Sequence, residues 1–245
     1  MITINQLAPK GEGAVPARKK GASAPRRSCV RKARCDGLET RDAIIAAAEL
    51  EFADKGYELA SAREICRRAG VNSALLSRYF GSKEALYRTV AKRLFGDLGA
   101  PLAALAEGVC GDAQWRAAVR EWIDDMLFMA LPSEKAQRLC AALFRHEVTR
   151  PTKFHAEFKE AFGRPVYEGL RNLLAMKVAD GERLELLTAS IWAQVSVYAL
   201  ADEKWVETFR PAGLGNRAWS EKIAAHICES VFTAVEKGKA KTWKR

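Results

Sequence analysis

Hydroxyl, guanidinium and ammonium side chains recur between residues 61 and 83 at a spacing that suits contact with a polynucleotide. Serine hydroxyls donate and accept hydrogen bonds at base edges, and an arginine bonds a guanine through two donors. A tyrosine hydroxyl or a lysine ammonium bonds phosphates, which position a protein on a duplex without reading its sequence. The residues selected by this chemistry and by their neighbourhood are Ser61, Arg63, Asn72, Ser73, Ala74, Leu75, Ser77 and Arg78.

Several of these residues have a second interpretation that the sequence leaves open. Leu75 suits a thymine methyl group, but it equally suits packing against a preceding helix. Tyr79 suits a phosphate, but a half-buried core aromatic would have the same place in the pattern. Lys83 is either a phosphate contact or a solvated surface charge, and Arg67 and Arg68 are expected to be solvated.

Three short helices are predicted to position these side chains. Apolar residues such as Ile44, Ala48 and Phe52 recur at helical spacing and predict a helix from Thr40 to Lys55 that ends at Gly56. A second helix starts after residue 61, where a serine followed three residues later by a glutamate forms a capping-box pattern.

The third helix follows a sharp reversal that Gly70 permits, and Asn72 is predicted to cap it through its side-chain oxygen. Leu76 and Phe80 are four residues apart and form its inward face. At about 100° per residue, positions 74, 75, 77 and 78 then point away from that face. Two short helices around a glycine turn have helix-turn-helix spacing, although a generic helical hairpin would satisfy the same pattern.

The segment from Thr40 to Tyr87 resembles the DNA-binding domain of TetR-family transcriptional regulators. The resemblance is carried by Thr40-Arg41-Asp42, Ala47-Ala48-Glu49-Leu50, Phe52-Ala53-Asp54-Lys55-Gly56-Tyr57, Arg63-Glu64-Ile65, Ala69-Gly70-Val71-Asn72 and Tyr79-Phe80-Gly81-Ser82-Lys83-Glu84-Ala85-Leu86-Tyr87. It implies a three-helix DNA-binding domain, a helical ligand-binding and dimerisation domain, and repression that a small molecule relieves. Tyr79 and Lys83 are similar to the phosphate-contacting residues of the family.

The chain departs from the commonest family pattern at three places. Ala60 stands where threonine is frequent, Leu75 stands where a smaller residue is usual, and the third helix ends on Ser77-Arg78-Tyr79. These changes are compatible with the fold, but no operator sequence can be transferred from a relative.

The formal net charge of +10 belongs to the two ends of the chain. Residues 1–36 carry a net charge of +7 and residues 237–245 carry +5, whereas the body is slightly acidic. Basic ends favour a polyanionic partner, with a solubilising tail or a misassigned start as the alternatives for the first segment. The predicted organisation is a basic flexible arm at 1–36, a helix-turn-helix domain at 37–95, a helical domain at 96–236 and a basic tail at 237–245.

The second half of the chain is predicted to be entirely helical, because no alternating strand pattern interrupts its helical runs. These runs cover residues 83–106, 113–130, 133–148, 154–177, 183–205 and 217–237, and Pro165 is expected to kink the fourth. The fold class is therefore all-α. No apolar stretch long enough for a membrane span and no secretory signal is evident, and the six cysteines show no paired spacing, so a cytoplasmic protein is expected.

Large apolar side chains in this region are numerous enough to line a hydrophobic ligand pocket, with an ordinary core as the alternative. The predicted pocket residues are Trp115, Trp122, Met126, Met129, Phe144, Phe158, Phe162 and Trp192. Two apolar stripes near the end of the chain predict a homodimer interface of the four-helix type, again with an intramolecular core as the alternative. The predicted interface residues are Ile191, Val195, Tyr198, Ile223, Ile227 and Val231.

The leading hypothesis is a ligand-responsive repressor that binds a palindromic double-stranded DNA operator as a homodimer and is released by a small hydrophobic molecule. The alternatives are a nonspecific DNA-binding protein that acts through its basic arms, and a helical cytosolic enzyme. We predict no catalytic residue, no cofactor and no metal site, because the nine-residue spacing of His146 and His155 fits no known ligand motif.

Overall fold

The computed structural model describes residues 27–96, 99–131, 135–201 and 203–240, and within them it contains helices and no strand. The predicted all-α fold class is therefore confirmed. The helices are α1 (Arg27–Leu59), α2 (Ala62–Ala69), α3 (Ser73–Phe80), α4 (Lys83–Phe95), α5 (Gly99–Ala104), α6 (Asp112–Ala130), α7 (Lys135–Thr149), α8 (His155–Phe158), a π-helical turn (Lys159–Gly163), α9 (Arg164–Ala175), α10 (Gly181–Leu200), α11 (Glu203–Phe209) and α12 (Asn216–Ala240).

The first helix is longer than the sequence predicts. It begins at Arg27, so residues 27–36, which we assigned to a flexible arm, are helical. Residues 1–26 and 241–245, the remainder of the predicted arm and most of the predicted tail, lie outside the described residues. The regular helix breaks where expected, because Gly56 adopts φ 73° and ψ 174°.

Three of the predicted helical runs are subdivided. The run 83–106 is interrupted after Phe95, and α5 starts at Gly99. The run 183–205 is divided between α10, which ends at Leu200, and α11, which starts at Glu203. The run 154–177 contains a π-helical turn that ends immediately before Arg164. Pro165 therefore lies in the first turn of α9, where a missing N–H is tolerated, and the wide turn before it takes the place of the expected kink.

A continuous apolar core runs from α1 to α12, with two tryptophans of α6 at its centre. The indole N–H of Trp115 donates to the carbonyl oxygen of Leu173 at 2.7 Å, and the indole N–H of Trp122 donates to the carbonyl oxygen of Val166 at 3.0 Å. Both acceptors belong to α9, so these bonds fix α6 against α9 while satisfying buried polar groups. None of the helices in the described part of the chain is long and apolar enough to cross a bilayer.

A close helix crossing places α5 against α9. A β-carbon on Gly169 would lie 2.2 Å from the carbonyl oxygen of Leu102, so only glycine permits this approach. The crossing brings the segment after α4 onto the helical domain. The helices α1 and α4 also pack directly on α7, which connects the first helices of the chain to the rest of the core.

Candidate DNA-contact surface and effector cavity

The turn between α2 and α3 is built from local capping interactions. Gly70 adopts a left-handed conformation with φ 66°, and its N–H donates to the carbonyl oxygen of Arg67. Val71 N–H donates to Cys66 at 3.0 Å and closes the end of α2. The Asn72 side-chain oxygen then accepts from Ala74 N–H at 3.0 Å and begins α3. The predicted reversal and cap are both confirmed.

The outer face of α3 gathers the residues predicted to contact bases. Leu76 is buried and anchors the helix, and Leu75 and Phe80 are half-buried. Ser73, Ala74, Ser77 and Arg78 are all exposed. Arg78 forms no ion pair or hydrogen bond within the described residues, so its guanidinium group is available to an external partner. A groove-facing role for this surface stays a prediction, and the half-burial of Leu75 favours partial packing for that residue.

Ser61 and Arg63 lie at the beginning of α2, and both are exposed. Ser61 Oγ accepts from Glu64 N–H at 3.4 Å and caps the helix. The reciprocal half of the capping box is absent, because the Glu64 carboxylate bonds Arg67 at 2.5 Å and Arg68 at 3.3 Å. The Arg67 hydrogen bond lowers the pKa of Glu64 to about 2. Arg67 and Arg68 are thus paired, not simply solvated as expected.

A buried acid that sequence reasoning missed joins α1 to α2. Glu51 is fully buried, and its carboxylate accepts from Lys55 Nζ at 2.8 Å and from Ser61 N–H at 3.3 Å. Arg68 Nε lies 3.3 Å from the second carboxylate oxygen. The pairing of Glu51 with Lys55 could have been found from the sequence, because the lysine follows the acid by four residues on one helix. The contacts with Ser61 and Arg68 could not, because they depend on how α2 packs on α1.

Lys83 has a structural task in addition to any contact with DNA. Its ammonium donates to the carbonyl oxygens of Ala60 at 2.8 Å and Glu58 at 3.3 Å, and it lies 4.5 Å from the centre of the Tyr57 ring. Two of its three donors therefore satisfy the end of α1, and one remains for a phosphate. The fully solvated alternative is wrong for Lys83.

Tyr79 is half-buried and lies beside the first helix. Its hydroxyl is 3.3 Å from the place where a β-carbon on Gly37 would stand. The side chain therefore fills part of the space between α3 and α1. Both interpretations of Tyr79 are compatible with this position, and its phosphate contact stays a prediction.

A cavity of about 410 Å³ lies between α4, α7 and the segment formed by α8 and the π-helical turn. Two predicted pocket residues, Phe158 and Phe162, line it. Its lining residues are Tyr87, Arg88, Ala91, Lys92, Phe95, Gly96, Leu143, Glu147, Phe154, Glu157, Phe158, Ala161 and Phe162.

The other predicted pocket residues do not line this cavity. Phe144 packs behind it, with ring centres 6.1 Å from Phe158 and 6.2 Å from Phe162. Trp192 is half-buried against Trp122 and Tyr167. The remaining residues belong to the core around α6, namely Trp115, Trp122, Met126 and Met129. Size and hydrophobicity identified buried residues but not which of them face empty space.

The floor of the cavity contains a second buried acid, Glu147, whose side chain is 1% exposed. Its carboxylate accepts a hydrogen bond from the Tyr87 hydroxyl and another from the Thr152 hydroxyl at 2.8 Å. Burial and the hydrogen bond to Glu147 raise the pKa of Tyr87, which keeps the phenol protonated as a donor. At the rim, Arg88 bonds both carboxylate oxygens of Glu157, at 2.8 and 2.9 Å.

The two histidines considered as metal ligands have different partners. His146 Nε2 lies 3.1 Å from the carbonyl oxygen of Ala53, whereas His155 Nδ1 lies 3.1 Å from the carbonyl oxygen of Glu147. The described residues contain no group of three or more His, Cys, Asp or Glu side chains arranged to hold a metal ion. The His146 ring therefore bonds the backbone of α1, whereas the His155 ring bonds the backbone of α7.

The stripes predicted to form a dimer interface face the interior of the protomer. Ile191, Val195, Ile223, Ile227 and Val231 are all at most 6% exposed, so their assignment to an intersubunit surface is wrong. Tyr198 of the same set is half-buried. Helical periodicity predicts an apolar face but not which neighbour covers it. The outward face of α10 instead carries Leu186, 66% exposed, and Val197, 54% exposed.

Comparisons with known proteins agree with this arrangement. A family model described as bacterial regulatory proteins of the tetR family matches residues 44–90. The HTH-type transcriptional dual regulator CecR of Shigella flexneri is 28% identical over 177 residues, covering 68% of this chain and 78% of CecR.

Two solved structures share the fold. NalD, the secondary repressor of the MexAB-OprM multidrug efflux pump in Pseudomonas aeruginosa, is 21% identical with a TM-score of 0.58, covering 81% of this chain and 97% of NalD. FadR from Bacillus subtilis, in complex with stearoyl-CoA, is 15% identical with a TM-score of 0.56, covering 77% of this chain and 97% of FadR.

Proposed function

The chain belongs to the TetR family of bacterial transcriptional regulators, which bind DNA, and from this premise we propose that it is a ligand-responsive repressor. In this proposal a homodimer binds a palindromic operator on double-stranded DNA in the cytoplasm, and a small hydrophobic effector releases it. The single observation that carries the proposal is the exposed face of α3, where Ser73, Ser77 and Arg78 stand on a capped and anchored helix.

The geometry of α3 suits direct base readout. Its N-terminal cap fixes the start of the helix, and the buried Leu76 fixes its rotation. Short hydroxyl side chains allow close approach to a major groove, and a free guanidinium group can bond a guanine through two donors. Ser61 and Arg63 are exposed at the start of α2. In this proposal they contact the adjacent DNA backbone and set the register of α3 on the duplex.

The outward face of α10 is the surface that we propose for dimerisation. Leu186 and Val197 are exposed there, and small residues at Ala189 and Ala193 lie between them along the helix. Small residues allow two helices to approach closely, and exposed large apolar residues gain by being covered. A dimer would present two α3 helices to successive major grooves, which matches a palindromic operator.

The cavity beside α4 is the site that we propose for the effector. Its wall includes α4, which follows the reading helix after only Gly81 and Ser82. In this proposal α4 has two positions, and the ligand binds more tightly when α4 is in one of them. That position carries α2 and α3 into an orientation that does not fit DNA, so the ligand shifts the population toward the form that does not bind. FadR holds stearoyl-CoA and NalD is a repressor, which supports both parts of the proposal by analogy of fold.

Genomic footprinting with the purified full-length protein at physiological salt tests the proposal. We expect discrete sites with two-fold symmetry. Uniform coverage that collapses steeply as salt is raised would instead support a nonspecific binder that acts through the basic ends. A second measurement, light scattering at micromolar concentration, should report a dimer.

A further inference from the structure

The effector cavity has an apolar wall and a negative floor, and this combination restricts the chemistry of its occupant. We propose that the effector is an amphiphilic cation, with an apolar body that fills the space between α4 and the π-helical turn and one basic nitrogen that pairs with Glu147. This inference rests on the proposed function, because it specifies the ligand class of the cavity assigned there.

The carboxylate of Glu147 lacks a permanent positive partner. Its hydrogen-bond donors are the hydroxyls of Tyr87 and Thr152 and, at 3.4 Å, the Thr152 N–H. The nearest ionisable nitrogen in the described structure is His155 Nδ1, 3.8 Å from the carboxylate, and this atom also lies 3.1 Å from the Glu147 carbonyl oxygen. A buried charge that is bonded only by neutral groups retains a large part of its desolvation cost.

The fixed cations of the cavity lie at its rim and leave the floor uncompensated. Arg88 is engaged by Glu157 through two hydrogen bonds, so the charges of this pair cancel. Lys92 is exposed and its ammonium is solvated at the outer edge. The Arg88–Glu157 pair has no net charge, and water screens the charge of Lys92. The electrostatic potential inside the cavity is therefore set by Glu147.

The walls of the cavity suit the remainder of such a ligand. Aromatic rings of Phe95, Phe154, Phe158 and Phe162 surround the space, with Phe95 and Phe158 in edge contact at 4.9 Å between ring centres. Aromatic faces attract cations as well as apolar groups, because the ring quadrupole is negative on the face. Phe154 already shows this behaviour, since the Arg88 guanidinium lies 4.7 Å from its ring centre.

A cation at Glu147 would also act on the connection between the two parts of the chain. The Tyr87–Glu147 hydrogen bond joins α4 to α7. A basic nitrogen that competes for the carboxylate weakens this bond, and α4 is then free to move relative to α7. Binding and response therefore involve the same side chain.

Three compounds with one apolar body and different head groups provide the test, namely phenylbutylamine, phenylbutanol and phenylbutyrate. Isothermal titration calorimetry on the full-length protein at neutral pH measures the affinity of each. A charge-assisted bond leads us to expect roughly tenfold tighter binding of the amine than of the alcohol, with the carboxylate weakest. The inference is overturned if the alcohol or the carboxylate binds as well as the amine, or if none of the three binds.

Matched variants separate charge from shape. Glu147→Gln keeps the size and acceptor of the side chain, and it should abolish the preference for the amine. Glu160→Gln makes the same change at an exposed glutamate outside the cavity, where it pairs with Arg164, and it should preserve the preference. If Glu147→Gln does not fold, as judged by circular dichroism, the ranking of the three compounds on the unmodified chain still decides the question.

The outcome is distinguishable from a failure of the proposed function. Footprinting reports whether the chain reads a discrete operator, and it needs no ligand. A discrete operator together with no preference for the amine would leave the repressor standing and remove only the cationic effector.

Discussion

His146 of α7 reaches the end of α1, where its Nε2 atom lies 3.1 Å from the carbonyl oxygen of Ala53. Its ring also covers Gly56, since a β-carbon there would lie 3.1 Å from Nδ1. Together with the Tyr87–Glu147 bond, this contact ties α7 to both α1 and α4. The helix that borders the effector cavity is therefore connected to the helix-turn-helix unit through two separate polar contacts.

The contact at Gly56 predicts an unusually costly substitution. Gly56→Ala must adopt φ 73° and must also displace the His146 ring, so we expect a loss of roughly 2–4 kcal/mol in the free energy of unfolding. Gly70→Ala is the matched control, because Gly70 has φ 66° but no atom within 4 Å of the added carbon. Urea unfolding measures both variants. Equal losses would show that the His146 contact has no energetic consequence.

Local signals explain why the helix-turn-helix unit is predictable. The caps at Ser61, Asn72 and Ser82 each bond a backbone N–H two or three residues away, so the sequence contains both partners within one short window. Buried acids behave differently. Glu147 accepts a hydrogen bond from Tyr87, which is 60 residues away in the sequence, and no pattern within α7 indicates that contact.

Most residues of the predicted pocket and interface are buried within the protomer, and the sequence could not reveal this for a related reason. The sequence identifies Trp122 and Ile191 as apolar helix residues, and both are fully buried. Burial by a neighbouring helix, by a ligand or by a second subunit produces the same periodicity, so the choice depends on packing between distant segments. Phe158 and Phe162 were selected by the same criterion of size and hydrophobicity, and they line the cavity because α8 and the π-helical turn pack opposite α4.

If α3 contacts DNA bases, replacing Arg78 should change the protein's preference among operator sequences. Arg78→Ala removes an exposed guanidinium without disturbing any contact within the described residues, so stability should be unchanged. Affinity for the best operator should fall by roughly 1–3 kcal/mol, while affinity for sites altered at the contacted base pair should fall less. Binding to a library of operator variants measures this. A uniform loss across the library would place Arg78 on a phosphate.

Lys83 predicts a double effect on DNA binding and on folding. Lys83→Ala leaves the carbonyl oxygens of Glu58 and Ala60 without their donor, so the melting temperature should fall. If the remaining donor contacts a phosphate, as we propose, affinity should fall equally for all DNA sequences. Lys92→Ala on the same helix removes an exposed charge and should preserve the melting temperature. Unchanged stability of Lys83→Ala would contradict the structural role of its ammonium.

Replacing Asp125 of α6 by a neutral residue should raise the stability of the protein at high pH but not at low pH. Burial and repulsion from Glu121 and Asp124 raise the pKa of Asp125 to about 7. A carboxyl whose pKa is raised by folding destabilises the folded state progressively as pH rises from about 4, its unfolded pKa, to about 7, and the cost is constant above that. Asp125→Asn should therefore raise the free energy of unfolding at pH 8 by roughly 1–3 kcal/mol after allowance for solvent screening, and by little at pH 4. An equal change at the two pH values would contradict this cause.

Substitutions on the two faces of α10 should have different effects: one on the outward face should disrupt the dimer, and one on the inward face should destabilise the fold. Leu186→Glu places a charge on an exposed position, so the protomer should fold normally while the dimer dissociates. Ile191→Ala on the opposite face empties a fully buried site and should lower the free energy of unfolding by roughly 2–5 kcal/mol. Sedimentation velocity reports the oligomeric state, and circular dichroism reports the fold. If Leu186→Glu remains dimeric, the subunits meet elsewhere, and the loss of operator affinity expected from a monomer should then also be missing.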